Sequence, residues 1–563
     1  MGARVDFNVE MRTRDGVVLR SDVYRPDGDA PVPAILLRTP YNKRLRTGRF
    51  DGLHPITAVE RGYAFVFQDV RGRWASDGEY QPITLGEGPD GYDAVEWVAS
   101  QPWCDGNVGM IGGSYESLVQ FMAAEQQPPG LKAICPEFSG DSRRGALLLD
   151  SINISWAAGQ AIDWVTKKTA EGKATAADMA VVMEALMDPQ AAANHLPLQD
   201  LPLLKVGELF TFQEMLAILR GVAGIAYDKI TVPMLMIGGW YDIDPLGSGD
   251  IVKGVQALSP DERTRRETAV VWGPWDHCVT REFLGEVSYG PMGSGEASEL
   301  PGQILNFFDR HLKGDESKVV PTATYFLTGE KRWHTAPSWP PPGTEPLTLW
   351  LDSAGHANGV DGDGALVGAA PAAGQATFTY DPHDPVPSFG GRYFRVGGSL
   401  PGPFDQRRVE CRDDVLVYSS APLDADLVAA GDARVVLHFS TSAPDTDVVV
   451  KLCDVDADGL SHNISDNFIR LRWREGTDEP RFLEPGQELE LVVELSPVGH
   501  LFKAGHRLRL QVTSSNFPAY DRNMNTGNPE GSDAKGVLAH QTVRHGGATP
   551  SRLELDTLPA LPA

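Results

Sequence analysis

Residues 108–122 constrain the fold more than any other stretch of this chain. Val108, Met110 and Ile111 read as a buried strand. Gly112-Gly113 interrupts it, Ser114 follows, and Leu118, Phe121 and Met122 fall at helical spacing. A strand that turns through two glycines into a helix is one βα step of a parallel sheet. Such a turn lifts the intervening side chain above the sheet edge and aims the first N–H groups of the helix toward it. A serine held there is a candidate nucleophile, because those N–H groups stabilise negative charge. The spacing departs from Gly-x-Ser-x-Gly: Glu116 stands where the second glycine would be, with the small Ser117 beside it. Read alone, the segment is also compatible with a glycine-rich turn carrying an incidental serine.

A serine hydroxyl is a weak nucleophile that needs a base, and the base needs an orienting acid. Val232–Gly239 reads as a buried strand running into Trp240-Tyr241-Asp242. Thr268–Gly273 reads as another, followed by Pro274-Trp275-Asp276-His277. Asp242 and His277 therefore fall at the carboxyl edge of a sheet, where α/β folds carry their chemistry. With Ser114 they follow the chain order Ser, Asp, His of α/β-hydrolases. An aspartate after a strand is also an ordinary cap, and a loop histidine an ordinary solvated side chain. The shared order and matching placement favour the triad.

The 563 residues exceed one ordinary domain; at about 150 residues each, three or four are expected. Residues 14–141 alternate apolar strands such as Ala34–Leu37 and Ala64–Phe67 with a helix over Gly91–Val98, the rhythm of a parallel sheet. Residues 142–228 turn helical, as over Thr175–Met187 and Phe212–Leu219, and read as a cap inserted over the site. Trp156 and Trp164 in that insertion either wall an apolar pocket or form the cap's own core. The sheet pattern resumes at Ile230 and closes with a helix over Gly302–Leu312, with Phe307, Phe308 and Leu312 on one face. Beyond residue 345 short strands dominate, among them Leu347–Leu351, Ala376–Tyr380, Val415–Tyr418, Ala433–Phe439, Leu489–Val493 and Leu508–Thr513. Gly355–Gly374 reads as a loop. The expected architecture is an α/β hydrolase domain from 1–141 and 229–345, a helical cap over 142–228, and a C-terminal all-β jelly-roll sandwich over 346–563.

Composition mainly excludes. A net charge of −26 disfavours nucleic acid and anionic membranes as partners. No stretch reaches the ~18 apolar residues of a membrane helix, and Met1–Phe7 lacks a signal-peptide core. Asp6 occupies the position where N-myristoylation wants Ser or Thr. A cytoplasmic enzyme is the default expectation. The five cysteines (Cys104, Cys135, Cys278, Cys411 and Cys453) are odd in number and widely spaced, which suits a reducing compartment better than disulfides or zinc. Asp454–Gly459 copies the first half of a calcium loop. The twelfth position is Ser465, not Glu, and the strand-like flanks make it a hairpin turn. No metal and no cofactor is expected.

Nearly the whole chain resembles the cocaine esterase-like and X-prolyl dipeptidyl peptidase-like serine hydrolases. The segments carrying the resemblance are Arg38–Lys43, Gln68–Arg73, Ser76–Glu79, Trp103–Gly109, Gly112–Tyr115, Gly239–Asp242, Gly273–His277, Ser515–Pro518 and Asp521–Asn523. The resemblance implies Ser114 as nucleophile, His277 as base and Asp242 as acid. It also implies an oxyanion hole made of the Tyr41 phenol and the Tyr115 N–H. Without it, Tyr41 is only an aromatic after a strand. Two positions depart from the family pattern. Ser117 replaces a glycine found in many relatives. Asp244 stands where some relatives carry an aromatic lining the acyl pocket; in α-amino ester hydrolases of the wider group acidic residues near this place hold a substrate ammonium, so the resemblance implies that Asp244 selects a cationic or amino acyl group. Asp244 followed by Pro245 is also a plain helix N-cap.

The expected activity is hydrolysis of small or medium carboxylic esters with an aryl or apolar acyl group, through an acyl-enzyme. An amide- or peptide-cleaving relative (an α-amino acid ester hydrolase, β-lactam acylase or X-prolyl dipeptidyl peptidase) is the alternative, and a non-catalytic glycan-binding protein the remote one. The expected partner is a small-molecule ester or amide. A homodimer is left open.

Overall fold

The computed structural model describes residues 2–45, 52–80, 86–140, 151–206, 224–279, 282–295, 297–392, 400–476, 478–548 and 550–561. Its first half is built on strands β1 (Ala3–Arg12), β2 (Val18–Pro26), β3 (Val32–Thr39), β4 (Ala64–Asp69), β5 (Cys104–Gly113), β6 (Leu131–Glu137), β7 (Leu235–Gly239) and β8 (Ala269–Gly273). After a small hairpin, β9 (Phe283–Leu284) and β10 (Val287–Ser288), come β11 (Ala323–Leu327) and β12 (Arg332–Ala336). Ten of these form one sheet in the order β1-β2-β4-β3-β5-β6-β7-β8-β11-β12. The pairings from β4 through β11 are parallel, with antiparallel strands at both edges.

The central strands read as unbroken apolar runs because both faces are covered. Successive residues serve opposite cores: Leu36, Val66, Met110 and Met236 pack in one cluster, and Ile35, Leu37, Phe65, Ile111 and Ile237 in the other. Helices α1 (Pro55–Glu60), α2 (Glu87–Ala99) and α3 (Tyr115–Ala124) follow β3, β4 and β5. The expected helix over Gly302–Leu312 runs over Leu300–Leu312, with Phe307, Phe308 and Leu312 buried on its sheet-facing side.

The insertion contributes α4 (Ser151–Ala170), α5 (Ala176–Met187) and α6 (Pro189–Ala193). Ile154, Ala157, Ala158, Ala161 and Val165 recur at helical spacing on α4 and pack on Val182 and Ala185. Thr175 opens α5 with a capping box closed by Asp178. The helix expected over Phe212–Leu219 lies outside the described residues.

From Glu345 to Leu558 eleven described strands form one antiparallel-dominated network that wraps its own core of Leu437, Val450, Val493, Leu510 and Val543. The long strand Leu427–Thr441 pairs with three partners along its length. Two corrections apply to the sequence reading. The Gly355–Gly374 loop contains a three-residue strand, Ala365–Val367, bonded to Trp350–Asp352. The strand expected over Ala433–Phe439 extends to Leu427, because a bulge near Gly431 lets pairing continue past the break in alternation. The calcium-like run is a hairpin turn in which Asp456 Oδ1 accepts from the Asp458 and Leu460 N–H groups. Among the described residues no helix is long and apolar enough to cross a membrane.

Candidate active site

Ser114 occupies the turn between β5 and α3 with φ 61° and ψ −124°, a backbone that an L-residue adopts only when its surroundings enforce it. Those surroundings are visible. The Ser114 N–H donates to the Glu137 carbonyl at 3.0 Å. Glu116, the residue that breaks the glycine motif, folds back so that its Oε2 accepts from the Gly113 N–H at 3.3 Å. Gln120 Nε2 donates to the Gly112 carbonyl at 3.0 Å. A Cβ on Gly112 (φ 135°) would sit 2.7 Å from Glu116 Cβ, so here the glycine is obligatory. Ser117, at the second departure, donates to the Ser114 carbonyl and lies 2.8 Å from Ser139 Oγ. The elbow thus replaces its second glycine with a buried side-chain brace.

Asp242 and His277 lie beyond the parallel strands β7 and β8, and the structure brings them together: His277 Nδ1 is 2.6 Å from Asp242 Oδ1. That is the geometry of an Nδ1–H donating to a carboxylate, and it leaves Nε2 as the acceptor nitrogen. Asp242 is almost fully buried, and Oδ1 also accepts from the Ile243 N–H at 2.6 Å. The two loops are stitched to each other: the Trp240 N–H donates to the Gly273 carbonyl and the Tyr241 N–H to the Trp275 carbonyl, both at 3.0 Å. A Cβ on Gly239 would lie 2.5 Å from the Trp275 oxygen, so that close approach also needs glycine.

The C-terminal domain grips the same loop. The Trp240 indole packs on Gly499, the Tyr241 hydroxyl donates to the Asn463 carbonyl at 3.3 Å, and the buried Arg392 reaches the Ile243 carbonyl at 3.3 Å. Phe138, which follows β6 with φ 48°, presents its ring 5.8 Å from that of His277.

Tyr41 follows β3, and its ring meets that of Tyr115 edge-on at 6.4 Å. Tyr115 is the first residue of α3, so its N–H has no carbonyl one turn earlier within the helix. Its phenol is anchored from below by a 2.8 Å bond to Glu87, which also pairs with the buried Arg38 at 3.1 Å. Burial pushes the Glu87 carboxyl above its ordinary value, against the pull of Arg38.

Of the two cap tryptophans, Trp156 packs against the cluster containing Tyr41, Tyr80 and Tyr115 as well as the cap core. Trp164 packs with the cap core. Asp244 is the N-cap of the helix Pro245–Leu258, its Oδ1 accepting from the Gly247 N–H at 2.9 Å. Its other oxygen faces the backbone of Gly140 so closely that a side chain there would collide with it. Burial pushes its carboxyl up to about 7, opposed by the Gly247 bond and by the charge of Arg392.

Sequence reasoning missed the supports: Glu116, Gln120, Glu87, Phe138 and Arg392. Glu116 and Gln120 are polar residues at buried positions of the largely apolar helix α3, and that was the available signal for them; Glu87 shares its helix with Asp90, Asp93 and Glu96 and carried none.

An α/β-hydrolase fold with a serine on a strained strand-to-helix elbow, and a His–Asp pair on neighbouring strand ends, defines a serine hydrolase. Comparison with known proteins agrees. Residues 15–279 match the X-Pro dipeptidyl-peptidase (S15 family), and residues 318–554 match the X-Pro dipeptidyl-peptidase C-terminal non-catalytic domain. The cocaine esterase of Rhodococcus sp. (strain MB1 Bresler) is 35% identical, covering 96% of this chain and 94% of its own. The crystal structure of an aminopeptidase from a marine sediment Thaumarchaeota archaeon superposes with a TM-score of 0.76 at 27% identity, over 99% of this chain and 96% of that one. An α-amino acid ester hydrolase does so at 0.73 and 25%, over the same shares. The chain belongs to the X-Pro dipeptidyl-peptidase (S15)/cocaine esterase family of serine hydrolases.

Proposed function

We propose that the chain is a carboxylesterase for small or medium esters with an aryl or apolar acyl group. Ser114 Oγ attacks the carbonyl carbon while His277 Nε2 takes its proton. Asp242 holds the His277 tautomer and stabilises the imidazolium. The oxyanion is met by the Tyr41 phenol and the Tyr115 N–H. As the C–O bond to the alcohol breaks, His277 returns the proton to the leaving oxygen. Water then repeats the cycle on the acyl-enzyme. The observation carrying this reading is the 2.6 Å His277–Asp242 pair beyond the ends of β7 and β8, in the same parallel sheet whose β5 leads into the Ser114 elbow. The esterase name of the 35%-identical relative supports ester over amide.

The chain divides, on this reading, into a catalytic α/β domain of 1–141 and 229–345, a helical cap of 142–228 and a β-sandwich of 346–563. A reducing, cytoplasmic setting fits the free cysteines, three of them buried.

Tyr41→Phe is expected to lower kcat about 10²- to 10³-fold with KM little changed, because the lost donor acts on charge that develops after binding. Steady-state kinetics on 4-nitrophenyl butyrate checks this; an unchanged kcat removes the phenol from the oxyanion hole.

A second reading, selection of an α-amino acyl group, is favoured by one observation: an acidic residue, Asp244, of intermediate burial two positions from Asp242. It is tested with matched esters with and without a free α-amino group, on wild type and Asp244→Asn, across pH 5.5–8.5. Asparagine caps helices as well as aspartate, so the variant isolates the charge. Under the ester reading the substrate ratio is the same in both proteins at every pH. Under the amine reading wild-type preference for the amino ester rises toward about pH 7, where Asp244 ionises, and falls again as the substrate ammonium loses its proton at roughly pH 7.7–8; the variant lacks the rise.

The same pair carries a stability prediction. The folded-state pKa lies above the ordinary 3.8, so the folded protein holds this proton longer than the unfolded chain. Wild type should lose stability relative to Asp244→Asn as pH rises from 3.8 to about 7, with no further divergence above that. Parallel denaturant titrations read the difference.

A further inference from the structure

The motif Gln68–Arg73, which the triad does not use, ends against the peptide that carries Tyr41. That peptide unit joins the Pro40 carbonyl to the Tyr41 N–H, and it is held at both ends. The N–H donates to Thr39 Oγ1 at 3.0 Å. The carbonyl accepts two bonds from consecutive residues, Arg73 Nε at 3.0 Å and the Trp74 indole Nε1 at 2.8 Å. Fixing a peptide plane at both ends fixes where the Tyr41 Cα sits and the axis about which its side chain can swing, and so narrows where the phenol can reach.

The same two residues are also where the cap helix α4 lands. Arg73 is buried, and its Nη1 donates to the Gln160 carbonyl at 2.9 Å. The Trp74 N–H donates to Asp163 Oδ2 at 3.0 Å. Lys167 Nζ reaches the Gly72 carbonyl at 2.9 Å, and the Tyr80 hydroxyl meets Gln160 Oε1 at 3.1 Å. The Arg73 guanidinium stacks over the Tyr80 ring at 4.6 Å. Trp74 makes its two bonds from a φ of 45°, a conformation a tryptophan holds only when its contacts impose it.

We propose that Arg73 and Trp74 are positioning residues that tie the docking of the cap helix to the placement of the Tyr41 phenol. The inference rests on the reading of Tyr41 as an oxyanion donor. The two residues touch neither substrate nor the reacting atoms; they act through the Pro40–Tyr41 peptide. A cap that docks correctly therefore completes the oxyanion hole, and one that is displaced loosens it. The shift need not be large, since misplacement by about 1 Å can cost roughly a hundredfold in rate.

The test is a double-mutant cycle of Trp74→Phe with Tyr41→Phe, measured as kcat and KM on 4-nitrophenyl butyrate, with thermal melts and fluorophosphonate labelling of Ser114. Trp74→Phe keeps an aromatic ring at the strained backbone and removes the indole N–H with the rest of the five-membered ring; the cycle separates the lost bond to Pro40 from the lost packing. Alone it should lower kcat about tenfold with KM within twofold. In the Tyr41→Phe background the same change should cost less than about twofold, because the group it positions is gone. Asp163→Ala, made from the cap side, should behave the same way, and it keeps the question answerable if Trp74→Phe fails to fold. Equal losses of kcat in both backgrounds, or no loss alone, overturn the proposal and leave the clamp as packing. If Tyr41→Phe by itself leaves kcat unchanged while Ser114 still labels, the oxyanion reading fails and the clamp falls with it.

Discussion

Ser114→Ala is expected to lower kcat on a 4-nitrophenyl ester by about 10⁵- to 10⁶-fold, the scale of loss when the nucleophile of a serine triad is removed. What survives is the oxyanion donors and binding alone, worth about 10³-fold over water. The loss should come without a loss of fold. The alanine inherits the φ of 61°, and the elbow is enforced by bonds that do not involve the Ser114 hydroxyl: its own N–H to Glu137, Glu116 to Gly113, and Gln120 to Gly112. Thermal melts of wild type and variant should superimpose while turnover and fluorophosphonate labelling disappear together. Retained turnover in a folded Ser114→Ala protein would move the chemistry elsewhere and leave the elbow a structural turn. The converse experiment is Gly112→Ala, which leaves the hydroxyl and attacks its support. The new Cβ meets Glu116 at 2.7 Å on a φ of 135°, so this change should destabilise the protein and lower activity by displacing the turn.

The positions proposed as the triad are legible because they are written in local pattern. Ser114, Asp242 and His277 each follow an apolar run long enough to read as a strand, and the carboxyl end of a strand is readable from where the run stops. The runs Leu235–Gly239 and Ala269–Gly273 differ from the expected ones only at their amino ends, whereas Cys104–Gly113 starts earlier and also carries its pairing on through Gly112 and Gly113, which the sequence reads as the break. The supports are not local. Arg73 meets Gln160 across 87 positions of sequence, and the Tyr241 hydroxyl meets Asn463 across 222. No periodicity encodes such a pair; only the sheet order and the seating of the cap bring it together. Glu116 shows a subtler limit. As a departure from a glycine motif it weakens the pattern, yet in three dimensions it braces the elbow that the pattern denotes, because a helical first-turn carboxylate can reach back to a free N–H. Trp156 and Trp164 were equivalent as sequence. Eight residues apart on one helix, only Trp156 is on the face that also meets the Tyr41–Tyr115 cluster.

The two substitutions at Asp242 should differ from each other, and the difference measures what the carboxylate does. Asp242 Oδ1 is shared: it meets His277 Nδ1 at 2.6 Å and accepts from the Ile243 N–H at 2.6 Å. In Asp242→Asn the amide oxygen is the only atom that can satisfy both donors, because the NH2 group placed there would face the Ile243 N–H donor to donor. The amide is therefore oriented with its oxygen toward His277, the ring keeps Nδ1–H and Nε2 stays the base. What the variant lacks is the negative charge that offsets the imidazolium, about 4 kcal/mol for charges ~4 Å apart at an effective dielectric near 20. That corresponds to about 10³-fold in kcat. Asp242→Ala also releases the ring and its tautomer, and should cost about 10⁴-fold or more. Steady-state kcat for the two variants, on the same ester and with melts alongside, decides the matter. Asparagine retaining about tenfold more activity than alanine means that the shared Oδ1 fixes the tautomer and the charge supplies the rest. Asparagine as poor as alanine means that the amide turns its nitrogen toward His277 despite Ile243, and that the Ile243 bond does not govern the orientation. If neither substitution lowers kcat, the 2.6 Å contact is a buried structural pair and His277 must find its acid elsewhere.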